Sequence, residues 1–114
     1  MPSKLAACAD ATCSSGSITI RTIDSTGVVG RYTSLALTTT GVPVISYYDT
    51  GNGDLKLAVC ADATCSSSTT IRTIDGAGDV GLRASLALTT AGLPVISYYG
   101  GAFKLAVCAD ATCF

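Results

Sequence analysis

The six cysteines are the residues of this 114-residue chain whose type and spacing imply chemistry most directly. Two cysteines separated by four residues reach disulfide geometry when the chain between them turns back on itself. We therefore predict three local disulfides, each contributing about 2 kcal/mol of stability in the chain-entropy treatment. The predicted pairs are Cys8/Cys13, Cys60/Cys65 and Cys108/Cys113.

Two other interpretations of the cysteine pairs remain open. Buried thiols pack as small apolar groups, and thiolates bind metals. The metal interpretation is the weakest, because the spacing is not the usual C-x2-C and the chain has no histidine. We therefore expect no metal and no cofactor. Persistent disulfides indicate an oxidising compartment, so we predict a secreted or extracellular protein, although the sequence shows no signal peptide.

A second candidate site consists of tyrosines near strand ends, with one aspartate and two loop arginines. Tyrosine rings and carboxylates can stack on and hydrogen-bond to a sugar, and arginines can bind an anionic ligand. Packing is the competing interpretation, because neighbouring side chains of a strand point to opposite faces and fill the space between sheets. Loop arginines are also commonly solvated. The candidate ligand-binding residues are Tyr47, Tyr48, Asp49, Tyr98, Tyr99, Arg31 and Arg83.

The segment DTGNGD at Asp49–Asp54 has the acids and glycines of a calcium loop. However, Gly51 and Gly53 stand where an EF-hand places its third and fifth ligands. The dipeptide Asn52-Gly53 favours a hairpin turn, so we predict a turn here. Three aspartates inside the cysteine loops are likewise expected to bond to their own backbone. They are Asp10, Asp62 and Asp110.

The inventory of charged residues argues against an enzyme and against two classes of partner. The chain has no histidine and all eight of its acidic residues are aspartates, which excludes histidine-based acid–base or triad chemistry. Seven lysines and arginines give a net charge of −1 and no basic stripe, so we expect no nucleic-acid partner. No apolar run reaches the roughly 18 residues of a membrane helix, and we expect no membrane partner.

A ten-residue stretch recurs three times and organises the elements that position these residues. It reads KLAACADATC at Lys4–Cys13 and KLAVCADATC at Lys56–Cys65 and Lys104–Cys113. The copies mark an internal repeat with a period of about 50 residues. The composition, 48% hydrophobic and 13% charged, excludes a disordered chain.

Each period contains four short segments that are rich in β-branched and apolar residues and bounded by turn-forming residues. This pattern predicts four strands, here named A to D, and essentially no helix. Longer links, Ser25–Thr33 and Gly76–Ala84, join D to A. Strand A is predicted at Ser34–Thr39 and Ser85–Thr90, strand B at Pro43–Tyr48 and Pro94–Tyr99, strand C at Lys4–Ala9, Leu55–Ala61 and Lys104–Ala109, and strand D at Ile18–Asp24 and Thr69–Asp75.

The run SLALTTTGVPVISYYDTGNGDLKLAVCADATC resembles the blades of bacterial β-propeller repeat proteins of the kelch and BNR-like groups. The resemblance implies an all-β fold built from four-stranded antiparallel meanders. Residues 1–24 would form a partial blade with strands C and D, residues 25–75 a full blade, and residues 76–114 a partial blade with strands A to C. The resemblance implies architecture and not activity, because propellers serve binding, scaffolding and catalysis alike.

About two blades plus one strand cannot close a ring of four to eight blades. The sequence also starts and stops part-way through a repeat, so we expect either a piece of a longer protein or a unit that closes as a homo-oligomer. Three chains with six blades are favoured over two or four. Two copies of strand C then compete for one slot. Lys104–Ala109 is favoured over Lys4–Ala9, in which Ala7 replaces a valine.

The function predicted from these features is a self-associating module with a binding or scaffold role and no catalysis. The alternative is a lectin-like module that binds carbohydrate between its blades.

Overall fold

A computed structural model describes residues 2–14 and 16–113. These residues form nine β-strands and no helix, which confirms the all-β prediction. Within them, accordingly, no helix is long and apolar enough to cross a membrane. The strands are β1 (Ser3–Cys8), β2 (Ile18–Asp24), β3 (Val29–Leu37), β4 (Pro43–Asp49), β5 (Asp54–Cys60), β6 (Thr69–Asp75), β7 (Leu82–Leu88), β8 (Pro94–Tyr99) and β9 (Phe103–Val107).

The nine strands form three antiparallel sheets, in which each strand pairs with its neighbour in sequence. The N-terminal sheet contains β1 and β2, the central sheet β3 to β6, and the C-terminal sheet β7 to β9. Such meanders arise because each short strand ends in a turn that returns the chain alongside it. Strands β2, β6 and β8 have the predicted bounds, and β1, β4, β5 and β9 agree to within one or two residues at each end.

The first strands of the central and C-terminal sheets begin earlier than predicted. β3 starts at Val29 and β7 at Leu82, inside segments that the sequence pattern assigned to loops. Both strands contain register shifts, which let the chain stay paired across an irregular stretch. Tyr32 and Arg83 lie at these shifts with φ of 52° and 54°. The extra pairing was not predicted because the links that contain it are rich in glycine and polar residues, which is typical of loops.

Two apolar clusters hold the three sheets together. We call the contact between the N-terminal and central sheets the first junction, and that between the central and C-terminal sheets the second junction. β4 belongs to the sheet between them, and all seven of its residues are buried. The first cluster includes Leu5, Ile23, Val29, Ile45 and Tyr47. The second includes Val44, Leu55, Leu57, Val80, Leu86, Ile96 and Tyr98.

A glycine allows close approach of the backbones at each junction. A Cβ on Gly81 would lie 2.7 Å from the Cα of Leu55, and a Cβ on Gly30 would lie 2.8 Å from the Cα of Ser3. Both distances are too short for any side chain. Gly30 and Gly81 therefore set equivalent spacings at the two junctions, with Ser3 in the place that Leu55 takes at the second.

The six cysteines pair at disulfide distance as predicted, with Cα–Cα separations of 5.0, 5.0 and 4.8 Å. Inside the central loop, the carboxylate of Asp62 accepts hydrogen bonds from the backbone N–H groups of Thr64 and Ser66, over 3.1 and 2.9 Å. Asp10 and Asp110 accept equivalent backbone bonds in the other two loops. The loop aspartates thus stabilise turns, as the sequence predicts.

The segment between β4 and β5 is the turn predicted at this position. Asp49 Oδ1 accepts the N–H of Gly51 over 3.0 Å, and Asp49 Oδ2 accepts the side-chain amide of Asn52 over 2.9 Å. The N–H of Gly53 bonds to the carbonyl of Asp49 over 2.7 Å. Both oxygens of this carboxylate are engaged in closing the hairpin.

Candidate functional site

A tyrosine, an aspartate and a lysine meet at the first junction. The hydroxyl of Tyr47 donates a hydrogen bond to Asp24 Oδ2 over 2.8 Å. Lys56 Nζ lies 3.2 Å from the same oxygen and 3.8 Å from Asp49 Oδ2. Tyr47 and both aspartates are buried, and a buried carboxylate is stable only when it is paired. The network ties the end of β2 to β4 and β5.

The same three residue types meet at the second junction. The hydroxyl of Tyr98 donates to Asp75 Oδ2 over 2.8 Å, and Lys104 Nζ lies 3.7 Å from that oxygen. Here β6 supplies the aspartate, β8 the tyrosine and β9 the lysine. The lysine side chain at this junction is 39% exposed, against 15% for Lys56 at the first. The recurrence of the network at both junctions indicates a structural role.

The pKa values of both tyrosine hydroxyls are raised by their surroundings. Burial raises the pKa of Tyr98 to about 12, together with the hydrogen bond to Asp75. The pKa of Tyr47 is raised by burial and by its bond to Asp24. Both hydroxyls therefore stay protonated and committed to a carboxylate. Both hydroxyls are thus engaged within the protein, as the packing interpretation expects.

The aspartates shift in the opposite direction. For Asp24, burial alone would raise the pKa, but hydrogen bonds from a backbone N–H, Tyr47 and Lys56 outweigh it and lower the pKa. The pKa of Asp75 is lowered mainly by the N–H of Ala77 and then by the tyrosine hydroxyl. Sequence reasoning did not select either aspartate. The repeat could have indicated them, since each is the last residue of a copy of the segment TIRTID.

Tyr48 is also engaged within the protein. Its side chain is buried and its hydroxyl donates to the carboxylate of Asp79, which lies in the link between β6 and β7. Its ring packs edge-on against the ring of Tyr32, with 6.2 Å between centroids. Tyr48 therefore joins the central sheet to the next link of the chain, and Asp49 closes a turn.

Two of the predicted ligand-binding residues, Tyr99 and Arg83, line an open cleft. They share it with Tyr32 and Leu82, and its volume is about 360 Å³. Tyr99 is 51% exposed. The cleft lies between the central and C-terminal sheets, where β3 and β7 begin. Its lining offers two aromatic rings and one guanidinium group, which suit stacking and hydrogen bonding with a polar ring.

The two arginines of the predicted site occupy neighbouring rather than equivalent positions. Arg31 pairs with Tyr48 in the β3–β4 ladder, as Leu82 pairs with Tyr99 in the β7–β8 ladder. Arg83 therefore corresponds to Tyr32, not to Arg31. The guanidinium carbon of Arg31 lies 5.4 Å from the centroid of the Tyr32 ring, in the range of a cation–π contact. Arg31 supports a cleft residue without lining the cleft.

An exposed apolar stripe on β9 forms a second candidate surface. Phe103, Leu105 and Val107 alternate along one face of the strand and are 82%, 63% and 66% exposed. In β5, Leu55 and Leu57 occupy the positions equivalent to the first two, and both are fully buried. Identical patterning thus gives a buried face in one sheet and an open face in the next. We refer to Phe103, Leu105 and Val107 as the β9 stripe.

The part of the first junction along β3 is open in the same way. Leu35 and Leu37 of β3 are exposed, whereas their counterparts in β7 are better covered. Leu86 is buried in the second junction, and Leu88 packs against its cluster. A surface of exposed leucines therefore remains on the central sheet beside β1.

Comparison with known proteins does not identify either surface. No protein family, no curated protein and no solved structure matches this chain. Among residues 2–14 and 16–113, no three acidic or cysteine side chains gather where they would hold a metal ion.

Proposed function

We propose that this chain is a self-associating β-propeller repeat module with a binding or scaffold role and no catalysis of its own. In this proposal the central sheet is one complete blade, and the other two sheets are parts of blades. Copies of the chain complete these parts and close a ring, for which three chains and six blades are favoured. The exposed β9 stripe is the observation that carries the proposal.

The second junction provides the template for the contact between copies. There, Leu57 of β5 and Leu86 of β7 belong to one buried cluster. Leu105 stands at the position equivalent to Leu57, and Leu35 stands at the position equivalent to Leu86. Both are exposed. A second copy that presents β3 to β9 as β7 faces β5 covers both leucines at once.

A polar contact at the second junction fixes the alignment. The N–H of Leu86 donates to Ser34 Oγ over 3.0 Å, between the central and C-terminal sheets. Ser85 is the equivalent of Ser34 and is exposed. With the same geometry between copies, the Leu35 N–H of a second copy meets Ser85 Oγ. Large exposed apolar faces mark interaction sites, and this one has a matching surface on the same chain.

The proposal is tested by measuring mass in solution for the unmodified chain and for a Leu105→Lys variant. The lysine places a charge where the proposed contact would bury an apolar side chain, and this burial is costly. We expect the unmodified chain to associate and the variant to remain a folded single chain, because Leu105 is exposed in the free chain. Thr90→Lys is the matched control, since Thr90 is an exposed turn residue of the same sheet. Equal masses for the three proteins would contradict the proposal.

Export is part of the same proposal. The three cysteine pairs at disulfide distance are consistent with a protein that folds in an oxidising compartment. Thiol titration of the denatured, freshly purified protein tests this point. We expect no reactive thiol before reduction and six afterwards.

Carbohydrate binding in the cleft is a second candidate function. It is favoured because the cleft is lined by two tyrosine rings and one arginine, and Tyr99 is 51% exposed. The cleft would stack a sugar on Tyr99 and direct the guanidinium of Arg83 to its hydroxyl or carboxylate oxygens.

A glycan array tests the carbohydrate proposal. We expect a class of glycans to bind the unmodified chain and to lose at least about tenfold in affinity with Arg83→Ala or Tyr99→Ala. Arg21→Ala is the control, because Arg21 is an exposed arginine on β2, outside the cleft. Absence of binding at high protein loading would contradict this second function and would leave self-association unaffected.

A further inference from the structure

Strand β1 fits its place at the first junction poorly. It presents Ser3, Leu5 and Ala7 where β5 presents Leu55, Leu57 and Val59 to the second junction. Ser3 is only 2% exposed, and its hydroxyl has no hydrogen-bond partner among the described residues. A buried hydroxyl without a partner is destabilising. Ala7 is smaller than Val59, which stands at the equivalent position of β5 and packs against the second cluster.

Strand β9 carries the side chains that this place lacks. Phe103, Leu105 and Val107 correspond in sequence to Ser3, Leu5 and Ala7. They are exposed, whereas the equivalent leucines of β5 are buried. The place beside β2 at the first junction is therefore occupied by β1, which has the smaller and more polar side chains. The more apolar side chains of β9 remain exposed.

The lysine of β9 has a carboxylate partner, and the lysine of β1 has none among the described residues. Lys104 of β9 lies near Asp75 Oδ2 at the second junction. Lys4 of β1 is exposed, and no carboxylate of the described residues lies within 4.0 Å of its ammonium group. β9 is thus already placed in the recurring tyrosine–aspartate–lysine network, and β1 is not.

We infer that β1 is a placeholder strand, which β9 of a second copy displaces from β2 when the chains associate. The inference rests on the proposed self-association and names the strand that forms the contact. β1 covers part of the first junction in the single chain and competes with the second copy. Self-association is therefore an exchange of one strand for another, with β1 acting as a built-in competitor.

The strand pairing specifies the register of the exchange. In the single chain, Ala6 of β1 lies opposite Ile20 of β2. In the central sheet, Ala58 lies opposite Ile71 in the same register. Ala106 is the equivalent alanine of β9, so it must lie opposite the second copy's Ile20. The Phe103 ring then reaches the place beside Gly30 of the second copy, which Ser3 of that copy occupies in the single chain.

Nuclear Overhauser measurements on the full chain test the exchange directly. Copies carrying labelled alanine and isoleucine methyl groups are mixed with copies labelled differently, so that contacts within and between chains are separated. Directly paired strand residues place their Cβ atoms about 5 Å apart. In the associated state we expect contacts between Ala106 and the second copy's Ile20, and loss of the contact between Ala6 and Ile20 within a chain. An Ala6–Ile20 contact that persists within the chain after association overturns the inference.

Strengthening β1 provides a second test with the full chain. The double variant Ser3→Leu/Ala7→Val gives β1 the residues of β5 at these positions, and it should compete better with β9. We expect its dissociation constant for self-association to rise at least about tenfold, with unchanged or higher thermal stability of the single chain. The control Ser25→Leu/Ala77→Val makes the same chemical changes at exposed turn positions and should leave the constant unchanged.

The outcomes distinguish this inference from the proposal on which it depends. An unmodified chain that stays monomeric contradicts self-association itself. An unmodified chain that associates, together with a strengthened variant that associates equally or more tightly, retains self-association and overturns the placeholder role of β1.

Discussion

The two junctions of this molecule are built from equivalent strands but are closed to different degrees. At the second, Leu86 is buried and the hydroxyl of Tyr48 reaches Asp79. At the first, the equivalent leucine, Leu35, is exposed, and Val28 stands where the second has its aspartate. The difference shows that burial of these strands depends on which sheet faces them, since the apolar pattern is nearly the same.

The first junction is not weaker throughout. Its tyrosine–aspartate–lysine network is the more buried of the two, with Lys56 close to two carboxylates. Side chains are buried where β2 ends, whereas Leu35 and Leu37 of β3 are exposed. At the second junction Leu86 of β7 is buried, and Lys104 is more exposed than Lys56. Substitutions at equivalent positions should therefore have unequal effects, and the order of those effects tests the comparison.

The largest difference is expected between Leu57→Ala and Leu105→Ala. Leu57 is fully buried, so its truncation should lower the free energy of unfolding by about 2–5 kcal/mol through lost burial and the remaining cavity. Leu105 is exposed in the single chain, so its truncation should have an effect below about 1 kcal/mol there. Urea denaturation at high dilution measures both. Similar losses for the two variants would show that the two strands are covered alike.

Removing the hydroxyl of Tyr47 should cost more stability than removing that of Tyr98. Tyr47→Phe removes a donor from a buried carboxylate and should cost about 1.5–3 kcal/mol, typical of a hydrogen bond to a charged group. Tyr98→Phe should cost less, because the network of Asp75 and Lys104 is more exposed. Thermal and urea unfolding of both variants give the comparison. A larger loss for Tyr98→Phe would contradict the ranking of the two networks.

Removal of a disulfide should have the next largest effect on stability. Their loops are equally short, so removing any one of them should cost about 2 kcal/mol in the chain-entropy treatment. Cys60 and Cys65 are both buried, whereas Cys13 of the first pair is exposed. The double variant Cys60→Ala/Cys65→Ala should therefore lose more stability than Cys8→Ala/Cys13→Ala. If the order is reversed, local packing around the central pair is not the cause.

The smallest expected effect is a dependence of stability on acid pH. The pKa values of Asp24 and Asp75 are lowered in the folded chain, below the value of about 3.9 for an unfolded aspartate. Because the unfolded chain then binds protons more readily, this stabilisation is complete above pH about 4 and is lost as pH falls further. Urea midpoints measured from pH 6 to pH 2 should decline at the acid end. The decline should be shallower in Asp24→Asn and Asp75→Asn than in the unmodified chain.

Much of the fold follows from local sequence. Short apolar segments between glycine, proline and aspartate predict all nine strands, and the repeated spacing predicts the three cysteine pairs. The early starts of β3 and β7 could not be predicted, because pairing there depends on a positive φ at Tyr32 and Arg83 that sequence pattern does not specify. Local pattern is sufficient for strands and turns but not for irregular pairing.

The contacts of the candidate site residues could not be predicted from the sequence, for a physical reason. Tyr47, Tyr48 and Tyr98 look alike in sequence to Tyr99, and only tertiary contacts distinguish three committed hydroxyls from one exposed ring. Asp24 and Asp75 lie about 23 residues from the tyrosines they bind, and such long-range pairs leave no local pattern. The repeat was the most useful feature for interpreting the site, because it places the same residue type at equivalent positions with different neighbours.

The mass of the full chain in solution tests the central claim most directly. Sedimentation equilibrium over a range of protein concentrations should show association, with a limiting mass three times the 11.4 kDa of one chain. A ring of two or four chains would revise the number of blades but retain the proposal. A single-chain mass at every concentration, with the β9 stripe still exposed, would contradict it.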